Sequence, residues 1–162
     1  MKRREYNIVV QEHSANLYGY AIRFLRDKED AKDIVQDVFE KLWIHRNKVE
    51  FEKAKSWMCT TAHNAMINFA NRKGRTTLSN EIAKYEKGTV TPNSFESNQV
   101  VERAVSILPP IQKSVILLRD LAGYSYKEIG DILDLSDSQV KVYLFRARNK
   151  IKKQLKGLIE LV

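Results

Sequence analysis

The sequence predicts an all-α protein built as two small helical domains joined by a flexible linker, and three observations predict it. Apolar residues recur at spacings of three and four over residues 7–75 and again over 99–160, the period of helices with one buried face. Residues 76–98, TTLSNEIAKYEKGTVTPNSFESN, are rich in Ser, Thr, Asn and Gly and hold few large apolar side chains. They read as a tether with at most a short helix at residues 81–87. Only three Pro and six Gly interrupt the 162 residues, too few for a turn-rich β architecture.

In the first domain, Leu17, Tyr20, Ala21, Phe24 and Leu25 form one amphipathic stripe. The polar run from Asp27 to Asp30 breaks it and starts a second helix, whose inner face is Ala31, Ile34, Val35, Val38, Phe39 and Leu42. A third helix from about Ser56 turns Met58, Ala62, Ala65, Met66 and Phe69 inward. Its expected end is the basic run Asn71-Arg72-Lys73-Gly74-Arg75, with Gly74 as a C-terminal cap.

The second domain is punctuated more sharply. Leu108-Pro109-Pro110 ends one helix and begins another, because Pro suits a first helical turn and not a helix interior. Val115, Leu118 and Leu121 line that helix, and Gly123 can cap it. Ser125 with Glu128, and Ser136 with Gln139, form two capping boxes eleven residues apart. Ile129, Ile132 and Leu133 face inward between them, and Gly130 is small enough for another helix to cross closely. A short helix, a tight turn at Asp134-Leu135 and a longer basic helix make a helix-turn-helix.

The second helix of that motif carries an anomaly. Stepping about 100° per residue from Val140 puts Leu144, Ala147 and Ile151 on the buried side. Lys141, Val142, Phe145, Arg146 and Asn149 fall opposite, so two apolar side chains stand among cations. In a helix-turn-helix the outer face meets the major groove, where Lys and Arg meet phosphates or guanine edges and apolar groups meet thymine methyls. The alternative is that Phe145 packs on another part of the domain. Residues 138–156 hold seven Lys or Arg and no acid, which favours DNA.

Charge and composition narrow the function classes. Lys and Arg number 28 against 20 Asp and Glu, a net charge of +8, which suits a polyanionic partner. Cys59 is the only cysteine, so no intrachain disulfide forms and a reducing compartment is expected. The basic N-terminus is not followed by a signal-peptide pattern, and no run reaches the roughly 20 apolar residues of a membrane span. A cytoplasmic protein with no membrane insertion is expected. An enzyme is not: there is no Gly-rich phosphate loop, no HExxH and no Cys-rich metal spacing, and no cofactor is expected. Cys59 and His63 lie four apart, but two ligands rarely make a metal site, and they read as helix filler.

The wider arrangement is more specific than the motif. The segment LPPIQKSVILLRDLAGYSYKEIGDILDLSDSQVKVYLFRAR resembles the C-terminal promoter-binding domain of sigma-70 family factors of the extracytoplasmic-function group. LYGYAIRFLRDKEDAKDIVQDVFEKLW is similar to the family's polymerase-binding helices, and SWMCTTAHNAMINFANRKGR to its promoter-melting segment. The resemblance implies domains at 7–75 and 99–160 around the linker 76–98. It implies core RNA polymerase and promoter DNA as partners, the former through the clamp helices of its largest subunit. An anti-sigma factor is a further partner that it implies, and nothing in these residues identifies one.

Residue by residue, the resemblance assigns polymerase docking to Asp33, Gln36, Asp37 and Glu40, in a stretch (26–41) with six acids against four bases. It assigns the minus-ten element to Asn64, Asn68, Asn71, Arg72 and Lys41, near the loop of residues 46–55; residues 42–75 carry seven bases against two acids. Thr61 starts the polar stripe that the three Asn continue. Amides suit base edges while cations hold the backbone. It assigns the minus-thirty-five element to Arg119, Lys141, Val142, Phe145 and Arg146. Ser138-Gln139 and Val142-Tyr143 depart from the family's usual residues, and Asp134 stands where Gly is usual, so the promoter read is expected to differ. The rival from another class is a stand-alone DNA-binding regulator, which would leave the acidic helix and the Asn stripe without a purpose.

Overall fold

The computed structural model describes residues 1–76 and 97–160. Helices account for nearly all of them: α1 (Arg3–Leu25), α2 (Lys28–Ile44), a 3-10 turn (Phe51–Lys53), α3 (Ala54–Thr76), α4 (Ser97–Ser106), α5 (Pro110–Ile116), α6 (Tyr126–Leu133) and α7 (Asp137–Glu160). The short helix expected at residues 81–87 lies outside the described residues. Helix occupies Thr76, Ser97 and Asn98, at the two ends of the expected linker.

Local chemistry sets most boundaries. Asp27 caps α2 by accepting from the Asp30 amide at 2.9 Å, and Arg26 ends α1 in the left-handed region at φ 56°. Pro110 opens α5. Gly74 does not cap α3, which continues to Thr76; a single Gly weakens a helix by only about 1 kcal/mol and need not end it.

One element departs from the sequence pattern. After α5 the chain runs through a π-helical turn at Leu117–Leu121, where the amide of Ala122 reaches back to the Leu117 carbonyl. The wider turn shifts the phase of the side chains. Leu117 is therefore buried and Leu121 is 40% exposed, the reverse of the regular 3.6-residue expectation for Leu121.

Helices α1, α2 and α3 pack together, and α4 to α7 form a second set. The two sets share one continuous core, from Val9 and Leu42 to Leu144 and Ala147. Polar contacts across their seam add to that core. Tyr20 Oη lies 2.5 Å from Ser114 Oγ and 3.2 Å from His63 Nδ1, and Ser114 Oγ lies 2.6 Å from that same nitrogen. All three residues are buried. The Thr60 hydroxyl donates to the Ile132 carbonyl at 2.8 Å, and the Cys59 thiol faces the Tyr124 hydroxyl at 4.0 Å. Lys113 donates to the Phe24 carbonyl at 3.1 Å, over the Phe24 ring, and Lys55 pairs with Glu128. Cys59 and His63 are thus seam residues with partners across the chain, where the sequence suggested helix filler.

Burial sets the protonation of this cluster. It lowers His63 to about 4, raises the Cys59 thiol to about 11 and pushes the Tyr20 phenol far above its ordinary range. The neutral His63 tautomer with hydrogen on Nε2 lets Nδ1 accept from Ser114, while Tyr20 donates to Ser114. Among the described residues, the hydrogen-bond and ring partners of the imidazole are Tyr20 and the Phe24 ring from α1 and Ser114 from α5.

The sign of the pH dependence follows. His63 stays neutral in the native state but protonates in the unfolded chain below about 6.5, so unfolding takes up a proton there. Its contribution is fully present above 6.5 and is lost progressively as pH falls toward 4. Urea titrations over that range should show a steeper acid loss of stability in the native chain than in a His63→Gln variant; parallel curves would contradict this account.

Candidate nucleic-acid interface

The helix-turn-helix is built on a tight backbone approach. The Ser125–Glu128 and Ser136–Gln139 boxes both close, each with side chain to backbone bonds in both directions at 2.9–3.1 Å. Asp134 turns the chain at φ 57°, and the Leu135 amide bonds the Gly130 carbonyl at 2.9 Å. A Cβ on Gly130 would stand 2.5 Å from the Leu135 carbonyl oxygen. Gly130 is needed for the turn that follows its own helix, and not primarily for a crossing helix as the sequence suggested; Val140 is the nearest side chain at 4.0 Å.

This turn presents α7. Val140, Leu144 and Ala147 are buried, while Lys141, Arg146 and Asn149 are exposed. Val142 and Phe145 are 45% and 66% exposed, so Phe145 does not pack inside the domain. Arg119 is half-buried: its guanidinium donates to the Tyr124 carbonyl at 2.9 Å and stands over the Tyr126 ring. Lys141 lies by that same ring, at 5.8 Å from its centroid. Tyr126 therefore gathers two cations at the entrance to the motif, a part that the sequence reading missed; an aromatic in the first turn of the first helix was its signal. Farther along α7, Arg148 pairs with Asp120 at 2.8 Å.

On α3, Asn64, Asn68, Asn71 and Arg72 are exposed along one face. Thr61, expected to start this stripe, spends its hydroxyl on the Trp57 carbonyl at 2.8 Å. Arg72 reaches back to the Asn68 carbonyl at 3.4 Å. Lys41 lies on α2, where its ammonium pairs with Asp37 at 3.1 Å. His45, Lys48, Val49, Glu50, Lys53 and Trp57 surround a hollow of about 380 Å³ at the loop before α3.

The acidic face of α2 is a shaped surface. Asp33, Gln36, Asp37 and Glu40 share a hollow of about 570 Å³ with Tyr6, Phe39 and Trp43. Tyr6 is fixed by donating to the Phe39 carbonyl at 2.9 Å and by an edge contact with Trp43 at 5.0 Å. Trp43 and Ile44 are exposed, and sequence reasoning did not single them out. Their signal was the run Leu42-Trp43-Ile44, three apolar residues that one helix face cannot bury together. Among the described residues no three His, Cys, Asp or Glu side chains converge to hold a metal, and no helix is long and apolar enough to cross a membrane.

Two family models match the chain. The model of sigma-70 region 2 matches residues 9–76, and that of sigma-70 region 4 matches residues 98–151. The RNA polymerase sigma factor YlaC of Bacillus subtilis is 30% identical, over 90% of this chain and 88% of its own length. The ECF RNA polymerase sigma factor SigM of the same organism is 27% identical, over 89% and 91%. Two solved structures share the fold. The Bartonella quintana sigma factor RpoE, bound to the anti-sigma factor NepR, is 24% identical with a TM-score of 0.70, covering 90% of this chain and 95% of that one. CnrH, bound to the cytosolic domain of CnrY, is 23% identical with a TM-score of 0.73, covering 96% and 90%. The chain belongs to the sigma-70 family, in its extracytoplasmic-function group, and is a transcription initiation factor that directs RNA polymerase to promoters.

The turn geometry has a direct consequence. Gly130→Ala should lower stability by about 1–3 kcal/mol, because backbone and not a flexible side chain must give way. Urea unfolding checks this; an unchanged midpoint would mean that the turn has slack.

Proposed function

We propose that the chain acts as a non-enzymatic bacterial initiation factor of the cytoplasm, with residues 7–75 and 99–160 as its working domains and 76–98 between them. The observation that carries this reading is the sorting of three exposed surfaces by chemistry: an acidic hollow, a stripe of amides, and a basic helix with two outward apolar side chains.

The hollow of Asp33, Gln36, Asp37 and Glu40 takes the clamp-helix coiled coil of the polymerase's largest subunit. Its carboxylates meet cations there while Trp43 and Tyr6 supply apolar contact. Asn64, Asn68 and Asn71 hold the unpaired non-template strand of the minus-ten element, with Arg72 and Lys41 on its backbone. Unstacking a base costs a few kcal/mol, so its capture needs several such contacts together. Lys141 and Arg146 meet phosphates or guanine edges of the minus-thirty-five element, Val142 and Phe145 meet thymine methyls, and Arg119 supports them from the preceding helix. The chain has no catalytic residue, because the chemistry belongs to the polymerase. An anti-sigma protein is the negative regulator that fits this group; both solved neighbours named above were captured with a partner, and for RpoE it is named an anti-sigma factor.

Transcription in vitro with bacterial core polymerase tests the reading. Specific start sites should appear only when the chain is added. Tight unaided binding to an operator duplex with no core binding would instead favour a stand-alone regulator. Asp37→Arg should weaken core binding, read by competition against the native chain. Asn64→Ala should leave core binding intact and impair open-complex formation, read by permanganate reactivity of the melted strand; normal melting would remove Asn64 from this role. Lys141→Ala should reduce the slope of log affinity against log salt by about one, as expected for one lost phosphate contact.

A further inference from the structure

We propose that the hollow between α4, the π turn and the C-terminal half of α7 is a binding site for a single-chain aliphatic carboxylate, with the tail inside and the carboxylate on Lys152. The proposal goes beyond the promoter-directing reading and does not rest on it.

The walls define the tail. The hollow measures about 550 Å³, within the range of about 300–1,000 Å³ usual for small-molecule sites. Val101 and Val105 of α4, Leu117 and Leu121 of the π turn, and Ile151 and Leu155 of α7 line it. Among the described residues, no aromatic ring and no uncharged hydrogen-bonding side chain joins them. Such walls suit a flexible alkyl chain and offer nothing to a base or a sugar.

The π turn makes part of this wall. In a regular helix Leu121 would follow Leu118 into the core; the wider turn carries it out to the hollow, where it is exposed. Turns of this kind are rare and recur at functional sites. The chain thus forgoes burial of a leucine, and a bound alkyl chain restores it.

Charge selects the head group. Two ion pairs flank the hollow, Arg23 with Glu102 at 3.8 Å and Arg148 with Asp120 at 2.8 Å, all four side chains partly exposed. Each pair neutralises itself. The remaining charged residue of the lining is Lys152, exposed and, among the described residues, without an ion pair. One ammonium beside an aliphatic chamber matches a monoanion with an aliphatic tail. The lysine stem can lie along that tail while its ammonium meets the carboxylate at the surface. A protein helix, about 10–12 Å across with its side chains, would disturb the flanking pairs. A single alkyl chain is narrow enough to leave them intact.

Equilibrium dialysis of the full chain against laurate, below its micelle concentration, tests the proposal. One equivalent should bind saturably. Lys152→Glu should weaken binding about tenfold, and Leu121→Trp, which fills the hollow, should weaken it at least as much. Octanoate, four CH₂ groups shorter, should bind roughly a hundredfold more weakly. If Leu121→Trp loses cooperative unfolding, Val101→Trp serves in its place, at a position 41% exposed. Unsaturable uptake, or binding indifferent to both kinds of substitution, would be nonspecific capture of an amphiphile by a basic chain and overturns the proposal. Equal competition by dodecyltrimethylammonium would overturn the choice of an anion. Absence of laurate binding overturns the site itself; if Leu121→Trp then also loses affinity for core polymerase, the hollow belongs to a protein helix.

Discussion

The structure depends on one constraint: α3 must serve three surfaces with a single helical repeat. At about 100° per residue from Met58, Ala62 and Met66 fall within about 80° of it and fill the first helical set. Cys59, His63 and Thr60 fall between about 100° and 200° and meet the second set. Asn71, Asn64 and Asn68 occupy about 220° to 280° and remain exposed. Residues on this helix are therefore tightly assigned, and a change of register by one position would move amides into the seam and the imidazole into water.

The middle face adds polar contacts to an apolar core that already joins the two sets, in which each buried aliphatic side chain stabilises by roughly 1.5–3 kcal/mol. A hydroxyl or imidazole contact contributes only about 0.5–1.5 kcal/mol net, because water competes for it. The Lys55–Glu128 pair, partly exposed on both sides, adds less than its short contact suggests. These polar contacts therefore give close fit with modest net stabilisation, and His63 adds specificity because it is tolerated there only when neutral.

Most of the fold is legible in the sequence because its determinants are local. The Asp27 cap, the Pro110 start, both capping boxes and the left-handed Asp134 each act within about one turn of the residue that encodes them. The seam is not legible for the converse reason. Ser114 meets Tyr20 across 94 positions and His63 across 51, and a lone Ser or His on a helix gives no periodic signal of such a partner. The π-turn at Leu117–Leu121 is likewise hidden, since its extra residue disguises itself as an ordinary apolar repeat. At the candidate site, the outward Val142 and Phe145 were readable from the helical wheel, whereas the tethering of Arg119 and the pairing of Lys41 with Asp37 depend on tertiary placement.

Several large apolar side chains are exposed, and two adjacent sets of them are informative. Trp43 emerges beside the carboxylates of α2, next to the exposed Ile44, and Val142 and Phe145 emerge among cations. Isolated exposed apolar residues need no explanation, but these are paired: Val142 and Phe145 stand among cations, and Trp43 borders the acidic hollow with the Arg46 guanidinium over its ring. A surface of that kind is complementary to a partner that joins the opposite charge to apolar groups. In the function proposed above, DNA answers the cationic case, with phosphates flanking thymine methyls in one groove, and a basic amphipathic helical surface answers the acidic one. Charge alone would attract either partner weakly and without register, and apolar contact alone would invite association with other proteins. Each surface gains selectivity because the two terms must be met at once, in one geometry.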